Sequence, residues 1–445
     1  MSFYSTVKVG IGDEILASAP KCPHGPTILF ERFAKRGGHK KFFACSANRN
    51  RKLCNFYQLV ERDGVAAKCR AATASANVVE DIDRVQDAKK YRNRWSKFVK
   101  QAANMRTFCR TCATPILENL NVGHDDGNDD DEHMNHNIMI GVTNSQLKRP
   151  TNLIDPLVDN HSNAQYMFSK ETKDFLIHSI IDQKFNHVLC IGAPSIHEEL
   201  LVMGKQMSGE KDDGCVINSY LLDLDERIIK MSPSSSHYNM FNHYFFTPSS
   251  KSEYLKFLKS ARDLDESGSN VIILIDPPFG GFIELILFTL ATVAKEFYGK
   301  DSKRELCTIL FHPYFMEEKI CSKTSFNMSD YTVTYENHKK LRKRELKSND
   351  DDVDDKSVVR MFTNIPLSSI ILPAHLGYQY CESCKKYVSQ HNKHCSSCQA
   401  CTTKVGKTYQ HCEKCRRCVK SSWRHCDECG ACELPDKHLK KKFKT

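Results

Sequence analysis

A short apolar segment in the second half of the chain leads directly into residues whose types and order could do chemistry. Val271–Ile275 contains five aliphatic residues and is followed by Asp276–Phe279, with the sequence Asp-Pro-Pro-Phe, and then by two glycines. A short apolar run followed directly by proline and glycine is typical of a buried parallel strand. Because open α/β sheets bind their ligands at the carboxyl ends of such strands, we expect Asp276–Phe279 to line a site.

The Asp-Pro-Pro-Phe sequence resembles the catalytic motif of amino-group methyltransferases that use S-adenosylmethionine (SAM). An exocyclic adenine amine is a poor nucleophile because its lone pair is delocalised into the ring, so it needs an acceptor for its N–H. The Asp276 carboxylate and the Pro277 carbonyl suit this role, while Pro277 and Pro278 stiffen the loop by fixing φ. Phe279 offers a ring face on which a flipped base stacks. Methyl transfer depends mainly on alignment, so positioning by these four catalytic candidates supplies much of the rate.

Composition limits the classes of protein to which the chain can belong. Its 445 residues have room for about two to four domains, and a net charge of +10 suits a polyanionic partner. Most of the 21 cysteines fall in Cys-x-x-Cys pairs with histidine nearby, which indicates zinc rather than disulfides. The sequence shows neither a secretory signal nor an apolar stretch long enough for a bilayer. We therefore expect a reducing compartment and no membrane partner.

The first group of candidate zinc ligands lies near the N-terminus and comprises Cys22, His24, Cys45 and Cys54. Aromatic and basic residues lie among and after these ligands: Phe42, Phe43, Phe56, Tyr57, Lys40, Lys41, Arg49, Arg51 and Lys52. The combination resembles a GRF-type zinc finger, a small β-rich module that grips single-stranded nucleic acid. Aromatic rings would stack on bases and the cations would contact phosphates. At least two of the four aromatic residues are expected to form the module's own core.

A second group follows Ala71–Arg106, a segment without proline or glycine that we predict to be one long connecting helix. Two cysteines and three histidines are the candidate ligands of a Cys2His2 finger: Cys109, Cys112, His124, His133 and His136. Which two histidines bind is open, because the pair His133 and His136 fits a finger and so does the pair His124 and His136. The acidic residues 125–132 are interpreted as a solvated insertion.

The C-terminal region contains the densest pattern of metal ligands. A Cys-x-x-Cys pair is followed by three copies of His-Cys-x-x-Cys-x-x-Cys. Interleaving the copies gives three tetrahedral sites: Cys381, Cys384, His394 and Cys401; Cys395, Cys398, His411 and Cys418; Cys412, Cys415, His425 and Cys432. The ligands left for an incomplete fourth site are Cys426, Cys429 and His438. The pattern resembles the cysteine-rich domain of DHHC palmitoyltransferases, but the chain has no Asp-His-His-Cys tetrapeptide, which disfavours that activity.

Between the zinc regions, residues 138–375 alternate between strand and helix patterns, as in a βαβ domain. Gly192–Ser195 follows the strand pattern His187–Ile191 and occupies the position where class I methyltransferases hold the methionine part of SAM. Asp223 ends the next strand pattern and is suited to accept from ribose hydroxyls, and Asp225 competes for this role.

The sequence Tyr-Asn-Met-Phe-Asn of residues 238–242 lies where the adenine of SAM is usually contacted. Met240 or Phe241 would pack on the face of the adenine, and Asn239 or Asn242 would hydrogen-bond its edge. As isolated residues these would more often be core or cap residues, so the prediction depends on their order before the Asp-Pro-Pro-Phe motif.

The rest of this region predicts further elements. Asn163–Ile181 is predicted to be a helix, and Cys307–Phe311, Tyr331–Tyr335 and Val358–Phe362 are predicted to be strands. Asn337–Ser357 has a basic and an acidic half and is interpreted either as a mobile loop near the active site or as a neutral linker.

Taken together, the motifs resemble those of ribosomal RNA N6-adenosine methyltransferases that contain a zinc finger of the CCHC type, from about residue 20 to 438. The resemblance implies methylation of an adenosine in large-subunit (28S-type) ribosomal RNA, with Asn337–Ser357 as an autoinhibitory loop. It implies SAM binding by Gln165, Tyr166, Met167, Phe168, Ser195, Asp223, Asn239, Met240 and Asp276. It also implies a location in the nucleus, nucleolus and cytoplasm, and RNA helicases or ribosome-assembly factors as partners.

The expected fold is α/β, with a Rossmann-like class I methyltransferase domain flanked by zinc modules. The predicted domains are a GRF-type finger at 18–60, a helical connector with a Cys2His2-like finger at 71–136, the methyltransferase at 137–375 and a DHHC-type zinc domain at 376–445.

Two other functions fit parts of the sequence. A non-catalytic RNA-binding ribosome-assembly factor could retain a decayed methyltransferase fold, but the intact Asp276 and Phe279 argue against decay. A DNA adenine or protein glutamine methyltransferase uses a related Asn/Asp-Pro-Pro motif. Asp at the first position, together with zinc modules of the single-strand-binding kind, favours RNA adenosine.

Overall fold

The computed structural model describes residues 7–33, 39–48, 50–60, 77–117, 133, 135–157, 165–207, 217–337, 357–404 and 408–434. The chain forms two compact units, Met1–Tyr166 with Phe185–Leu306, and Met167–Lys184 with Cys307–Thr445. These units divide the chain differently from the four domains expected from the sequence, whose boundaries stay a prediction. Among the described residues, no helix combines the length and apolar character needed to cross a membrane.

The first unit begins with a small antiparallel sheet. Its elements are β1 (Val7–Gly10), α1 (Asp13–Ser18), β2 (Lys21–Cys22), β3 (Gly25–Pro26), β4 (Ile28–Phe33), β5 (His39–Ala44) and β6 (Tyr57–Val60). The sheet has the order β1-β4-β5-β6, and β2 and β3 form a separate hairpin. On one face, Phe42 stacks against Phe30 at 5.6 Å and lies 4.9 Å from the ring of Tyr57. Phe42 and Tyr57 are half-buried in this aromatic layer, and Phe56 packs against the buried cluster of Cys45, Ala47 and Cys54.

The next element is a helix that packs on the region of the second group of candidate zinc ligands. Helix α2 (Asn77–Lys100) is followed by β7 (Thr107–Cys109), β8 (Thr114–Ile116) and β9 (Ile138–Ile140). Tyr91, Trp95 and Phe98 lie on one face of α2, and the Tyr91 hydroxyl donates to the carbonyl of Ala113 at 2.9 Å. Phe98 and Phe108 are fully buried against each other. The helix thus supports the Cys109–Cys112 turn, and it ends six residues before the predicted limit because the chain turns at Ala103–Met105.

The central part of the chain alternates helices and strands, as expected for an α/β domain. In chain order the elements are α3 (Asn144–Leu147), α4 (Lys170–Asp182), β10 (His187–Ile191), α5 (Pro194–Met207), β11 (Asn218–Asp223), α6 (Glu226–Met231), β12 (Ser235–Asn239), β13 (Tyr244–Phe245), α7 (Pro248–Leu264), β14 (Val271–Ile275), α8 (Ile283–Tyr298), β15 (Cys307–Pro313), α9 (Glu317–Cys321), β16 (Asn327–Thr332) and β17 (Val359–Thr363). Short 3-10 turns lie at Pro150–Asn152, Tyr314–Met316 and Ala374–Leu376.

In the first unit, the central strands have the order β13-β12-β11-β10-β14. Strand β10 pairs in parallel with both β11 and β14, and every residue of β10 and β14 is buried. Parallel strands buried on both faces explain the continuous aliphatic runs in the sequence. The strands predicted at His187–Ile191 and Val271–Ile275 are confirmed, and they place Gly192 and Asp276 at one edge of the sheet.

The second unit contains β15, β17 and β16 in that order, with antiparallel pairing. The strand predicted at Tyr331–Tyr335 is wrong in its position, because β16 ends at Thr332, after a register shift against β17. Beyond it, Tyr335 forms an isolated bridge with Phe168.

The helix predicted at Asn163–Ile181 starts too early for a related reason. Residues 163 and 164 lie outside the described part of the chain. Phe168 is held extended by its bridge to Tyr335, and the Ser169 hydroxyl then accepts the N–H of Thr172 as the N-cap of α4.

The C-terminal part of the second unit consists of four small hairpins. Their strands are β18 (Tyr378–Cys381), β19 (Lys386–Ser389), β20 (His394–Cys395), β21 (Ala400–Cys401), β22 (Tyr409–Cys412), β23 (Arg417–Lys420), β24 (Arg424–Cys426) and β25 (Ala431–Glu433). Each hairpin turns through one Cys-x-x-Cys pair. The residue after each pair has a positive φ, at Lys385, Gln399, Arg416 and Gly430.

Candidate active site

The carboxyl ends of β10 and β14 meet at the residues predicted to bind SAM and to catalyse. The N–H of Asp276 donates to the carbonyl of Ile191 at 3.0 Å, so the Asp-Pro-Pro-Phe loop is tied to the end of β10. Gly192 has φ +66°, and a Cβ there would lie 2.8 Å from Cε of Met240 and 2.9 Å from the carbonyl oxygen of Asp276. Only glycine permits this close approach. Gly192, Met240 and Asp276 therefore lie directly beside one another.

The Asp-Pro-Pro-Phe loop closes on itself before α8 begins. The N–H of Gly281 donates to the carbonyl of Pro278 at 2.7 Å. A Cβ at Gly281 would lie 2.7 Å from the ring of Phe241, so this ring packs directly under the loop. The half-buried rings of Phe279 and Tyr166 are nearly parallel, with an interplanar angle of 13° and centroids 6.1 Å apart. Sequence reasoning missed this pairing, because no local pattern relates positions so far apart.

Asp223 and Asp225 have different environments. Asp225 accepts from Arg227 at 2.7 Å and from the Gln165 amide at 2.8 Å, and it caps α6. Asp223 is buried and accepts the N–H of Asp225 at 2.8 Å. Burial raises the pKa of the Asp223 carboxyl to about 7. Because the Asp225 carboxylate is committed to Arg227 and Gln165, this arrangement favours Asp223 as the acceptor for a ribose.

Asn239 and Asn242 have partners that the sequence did not suggest. The Asn239 amide donates to the carbonyl of His24 and to the hydroxyl of Ser46, both at 2.9 Å, and its oxygen accepts the N–H of Phe241. The Asn242 amide donates to the carbonyl of Pro26 at 2.8 Å. Both side chains thus donate to the N-terminal module formed by β1–β6, which carries the candidate ligands Cys22, His24, Cys45 and Cys54. An adenine contact by either amide stays a prediction.

The remaining SAM-binding candidates lie in different environments. Ser195 is buried in the first turn of α5. In the second unit, the N–H of Met167 donates to the side-chain oxygen of Asn337 at 2.9 Å. Phe168 is 1% exposed and packs against Phe311 and Tyr335, with centroids 4.9 and 5.0 Å away. The surroundings of the Phe168 side chain are those of a core residue.

We expect Phe168→Ala to lower the free energy of unfolding by about 3–5 kcal/mol, because it removes a buried ring between two aromatic partners. Denaturant unfolding of the full chain measures this loss. The matched control is Phe315→Ala in the same unit, where the ring is 65% exposed, and we expect a change within about 0.5 kcal/mol. Equal effects of both substitutions would contradict the core role of Phe168.

Two groups of metal ligands come together in the first unit. In each group the four ligand atoms lie within 4.8 Å of one another: Cys22, His24, Cys45, Cys54; and Cys109, Cys112, His133, His136. Two or three thiolates with one or two imidazoles fit tetrahedral zinc. The second group contains the pair His133 and His136, while His124 and the acidic insertion lie outside the described residues, so the choice between the two histidine pairs stays a prediction.

Three further groups come together in the second unit, with the same 4.8 Å limit: Cys381, Cys384, His394, Cys401; Cys395, Cys398, His411, Cys418; and Cys412, Cys415, His425, Cys432. These are the interleaved sets predicted from the spacing. Cys426 and Cys429 form a fourth turn of the same kind, and His438 lies outside the described residues, as does the interior of Asn337–Ser357.

The amino-acid sequence is similar to a family model and to several named proteins. A family model described as a probable N6-adenine methyltransferase matches residues 159–364. The rRNA N(6)-adenosine-methyltransferase ZCCHC4 of Homo sapiens is 37% identical over 399 residues, which cover 87% of this chain and 72% of the relative. Proteins of the same name from Bos taurus and Xenopus tropicalis are 38% and 35% identical, over 88% and 87% of this chain and 73% and 76% of their own lengths. The chain therefore belongs to the rRNA N(6)-adenosine-methyltransferase family.

Proposed function

We propose that this protein transfers a methyl group from SAM to N6 of an adenosine in large-subunit ribosomal RNA. The observation that carries the proposal is the close approach of Met240 and Asp276 to Gly192 at the carboxyl ends of the parallel strands. Family membership supports the same reaction. A non-catalytic assembly factor has no need of an ordered Asp-Pro-Pro-Phe loop, so we favour the enzyme.

SAM would supply an electrophilic methyl group, and the chain's residues would bind and orient it. Gly192 leaves room beside Met240, and the Met240 side chain is placed to pack on the adenine of the cofactor. Asp223 would accept from the ribose hydroxyls. Ser195, in the first turn of α5, would contact the methionine part of SAM.

The substrate adenosine would enter beside Phe279. When the N6 nitrogen bonds to the methyl group, S-adenosylhomocysteine would leave and the amine would give up one proton. The Asp276 carboxylate would take that proton, and the Pro277 carbonyl would accept the other N–H as a hydrogen bond. The face of Phe279 would hold the flipped base. The chain's contribution to the rate is then alignment and proton acceptance.

The N-terminal sheet is suited to bind RNA near its target. Lys40, Lys41 and Lys52 are exposed, and Arg51 lies 4.2 Å from the ring centre of Tyr57. Exposed cations next to aromatic rings bind phosphates and bases. We propose that this module has the GRF type.

We further propose that the C-terminal zinc hairpins form a DHHC-type clamp on RNA. The protein would work in the nucleus, nucleolus and cytoplasm with ribosome-assembly partners.

To test this function, the purified protein is incubated with labelled SAM and one of three substrates: large-subunit RNA, small-subunit RNA or polyadenylated RNA. We expect label mainly in the large-subunit RNA. Equal labelling of all three would contradict the substrate assignment, and binding of SAM without transfer to any RNA would favour the assembly factor.

The pKa of Asp223 predicts a pH dependence of SAM binding. Only the ionised carboxylate accepts two ribose hydroxyls, and its pKa is raised to about 7 in the free protein. Affinity should therefore rise with pH through 7, with the dissociation constant about tenfold lower at pH 8 than at pH 6. Calorimetric titration across this range measures the effect. In Asp223→Asn the affinity should be weaker and independent of pH, and a wild-type slope in that variant would exclude Asp223 as the cause.

A further inference from the structure

We propose that the N-terminal zinc module is a structural part of the SAM site, and that Asn239 and Asn242 couple zinc binding to SAM affinity. The inference rests on the proposed use of SAM. In this proposal Asn239 and Asn242 are positioning residues, which act through Met240 rather than by touching the cofactor.

The first observation is the set of hydrogen bonds around Met240. Asn239 and Asn242 flank this residue and are 1% and 3% exposed. The Asn239 amide donates to His24 and Ser46, and the Asn242 amide donates to Pro26 at 2.8 Å and to His24 at 3.3 Å. The residues on both sides of Met240 are therefore held by the zinc module.

The acceptors themselves depend on the metal ligands. His24 is a zinc-ligand candidate, and its main-chain carbonyl receives both amides. Ser46 follows Cys45, another ligand of the same group. Strands β2 and β3, which flank His24, have only two residues each, so the hairpin has little structure of its own to hold these carbonyls in place. Zinc coordination would supply that rigidity.

Apolar contacts extend the same interface to the catalytic loop. Leu224, directly after β11, packs against the buried cluster of Cys45, Ala47 and Cys54. The ring of Phe30 in β4 lies 5.7 Å from that of Phe282, the residue before α8. The module thus contacts the methyltransferase region at three places: next to Asp223, next to the Asp-Pro-Pro-Phe loop, and at residues 239–242 around Met240.

Within the methyltransferase region, Met240 has further support. The Thr289 hydroxyl donates to the Met240 carbonyl, and the Asn239 oxygen accepts the N–H of Phe241, whose ring packs under Gly281. Loss of the zinc module would therefore displace the turn without unfolding the sheet. Because coupling between two binding sites is reciprocal, SAM must in turn stabilise zinc in the first cluster.

The variants Asn239→Asp and Asn242→Asp test this coupling. Each keeps the side-chain shape but replaces the donating amide by a carboxylate oxygen. In Asn239→Asp this oxygen faces the His24 carbonyl and the Ser46 hydroxyl, and in Asn242→Asp it faces the carbonyls of His24 and Pro26. We expect the SAM dissociation constant to rise about tenfold or more, with bound zinc unchanged and turnover at saturating SAM within about threefold of wild type. The matched control is Asn270→Asp, another buried asparagine, which donates to the Ala261 carbonyl; it should leave SAM affinity unchanged.

A second measurement does not depend on any variant. The wild-type protein is treated with a zinc chelator, and the rate at which its cysteines are alkylated reports the loss of zinc. S-adenosylhomocysteine should slow alkylation of Cys22, Cys45 and Cys54 about fivefold or more, but should not slow that of Cys412 and Cys415. Equal alkylation rates with and without it, or asparagine variants that bind SAM normally, would overturn the coupling. If the wild-type protein bound no SAM at all, the proposed function itself would be wrong. Normal SAM binding without the coupling would contradict only the inference about the zinc module.

Discussion

Asp276→Ala should lower the turnover number for methyl transfer by about a hundredfold or more. The adenine amine attacks only if its N–H bonds have acceptors, and alanine leaves the Pro277 carbonyl alone in that role. The main chain of residue 276 still donates to Ile191, so the loop should keep its place at the end of β10. Steady-state kinetics with saturating SAM and RNA measures the change, and thermal unfolding checks the fold.

The matched control for this prediction is Asp263→Ala. Asp263 is exposed near the end of α7, and its loss should leave the turnover number within about twofold of wild type. If Asp276→Ala retained wild-type turnover, the carboxylate would have no part in the reaction.

Removal of zinc should unfold the C-terminal hairpins while the α/β sheet survives. The hairpin strands have two to four residues, and Val388 and Val419 are the buried aliphatic side chains that the described residues 378–434 contain. So small a core does not stabilise a domain, whereas structural zinc contributes about 10–16 kcal/mol in isolated fingers. We expect chelation to cut hydrogen-exchange protection of β22 and β23 about a hundredfold or more, with β10 and β14 protected as before.

Single substitutions can separate this effect from general damage by the chelator. Cys418→Ser opens the second C-terminal cluster and should reproduce the loss of protection in β22 and β23. Cys321→Ser changes a partly buried cysteine outside all five clusters and should not. Full protection of the hairpins without metal would mean that zinc is not what stabilises them.

The features that the sequence predicted well are encoded locally. A continuous aliphatic run marks a buried parallel strand, so β10 and β14 have the predicted bounds. The His-Cys-x-x-Cys-x-x-Cys spacing allows few tetrahedral groupings, and the interleaved sets come together as predicted. From the sequence, Asp223 is preferred over Asp225 as the acceptor for a ribose, and the contacts of Asp225 with Arg227 and Gln165 support that preference.

The features that the sequence did not predict depend on distant partners. Asn239 and Asn242 sit at positions typical of adenine contacts, but residues more than 190 positions away in the chain accept their amides. Phe168 is adjacent to candidate site residues, yet Tyr335 and Phe311 bury its ring. The start of α4 at Lys170 likewise follows from the bridge between Phe168 and Tyr335 rather than from any local signal.

The central claim is that this site methylates the exocyclic amine of adenosine. It is tested most directly by transferring labelled methyl from SAM to large-subunit ribosomal RNA, digesting the RNA to nucleosides and separating them. We expect label in N6-methyladenosine with wild type and none above background with Asp276→Ala. Label in a ring-nitrogen methyladenosine, in another nucleoside or in protein would contradict it.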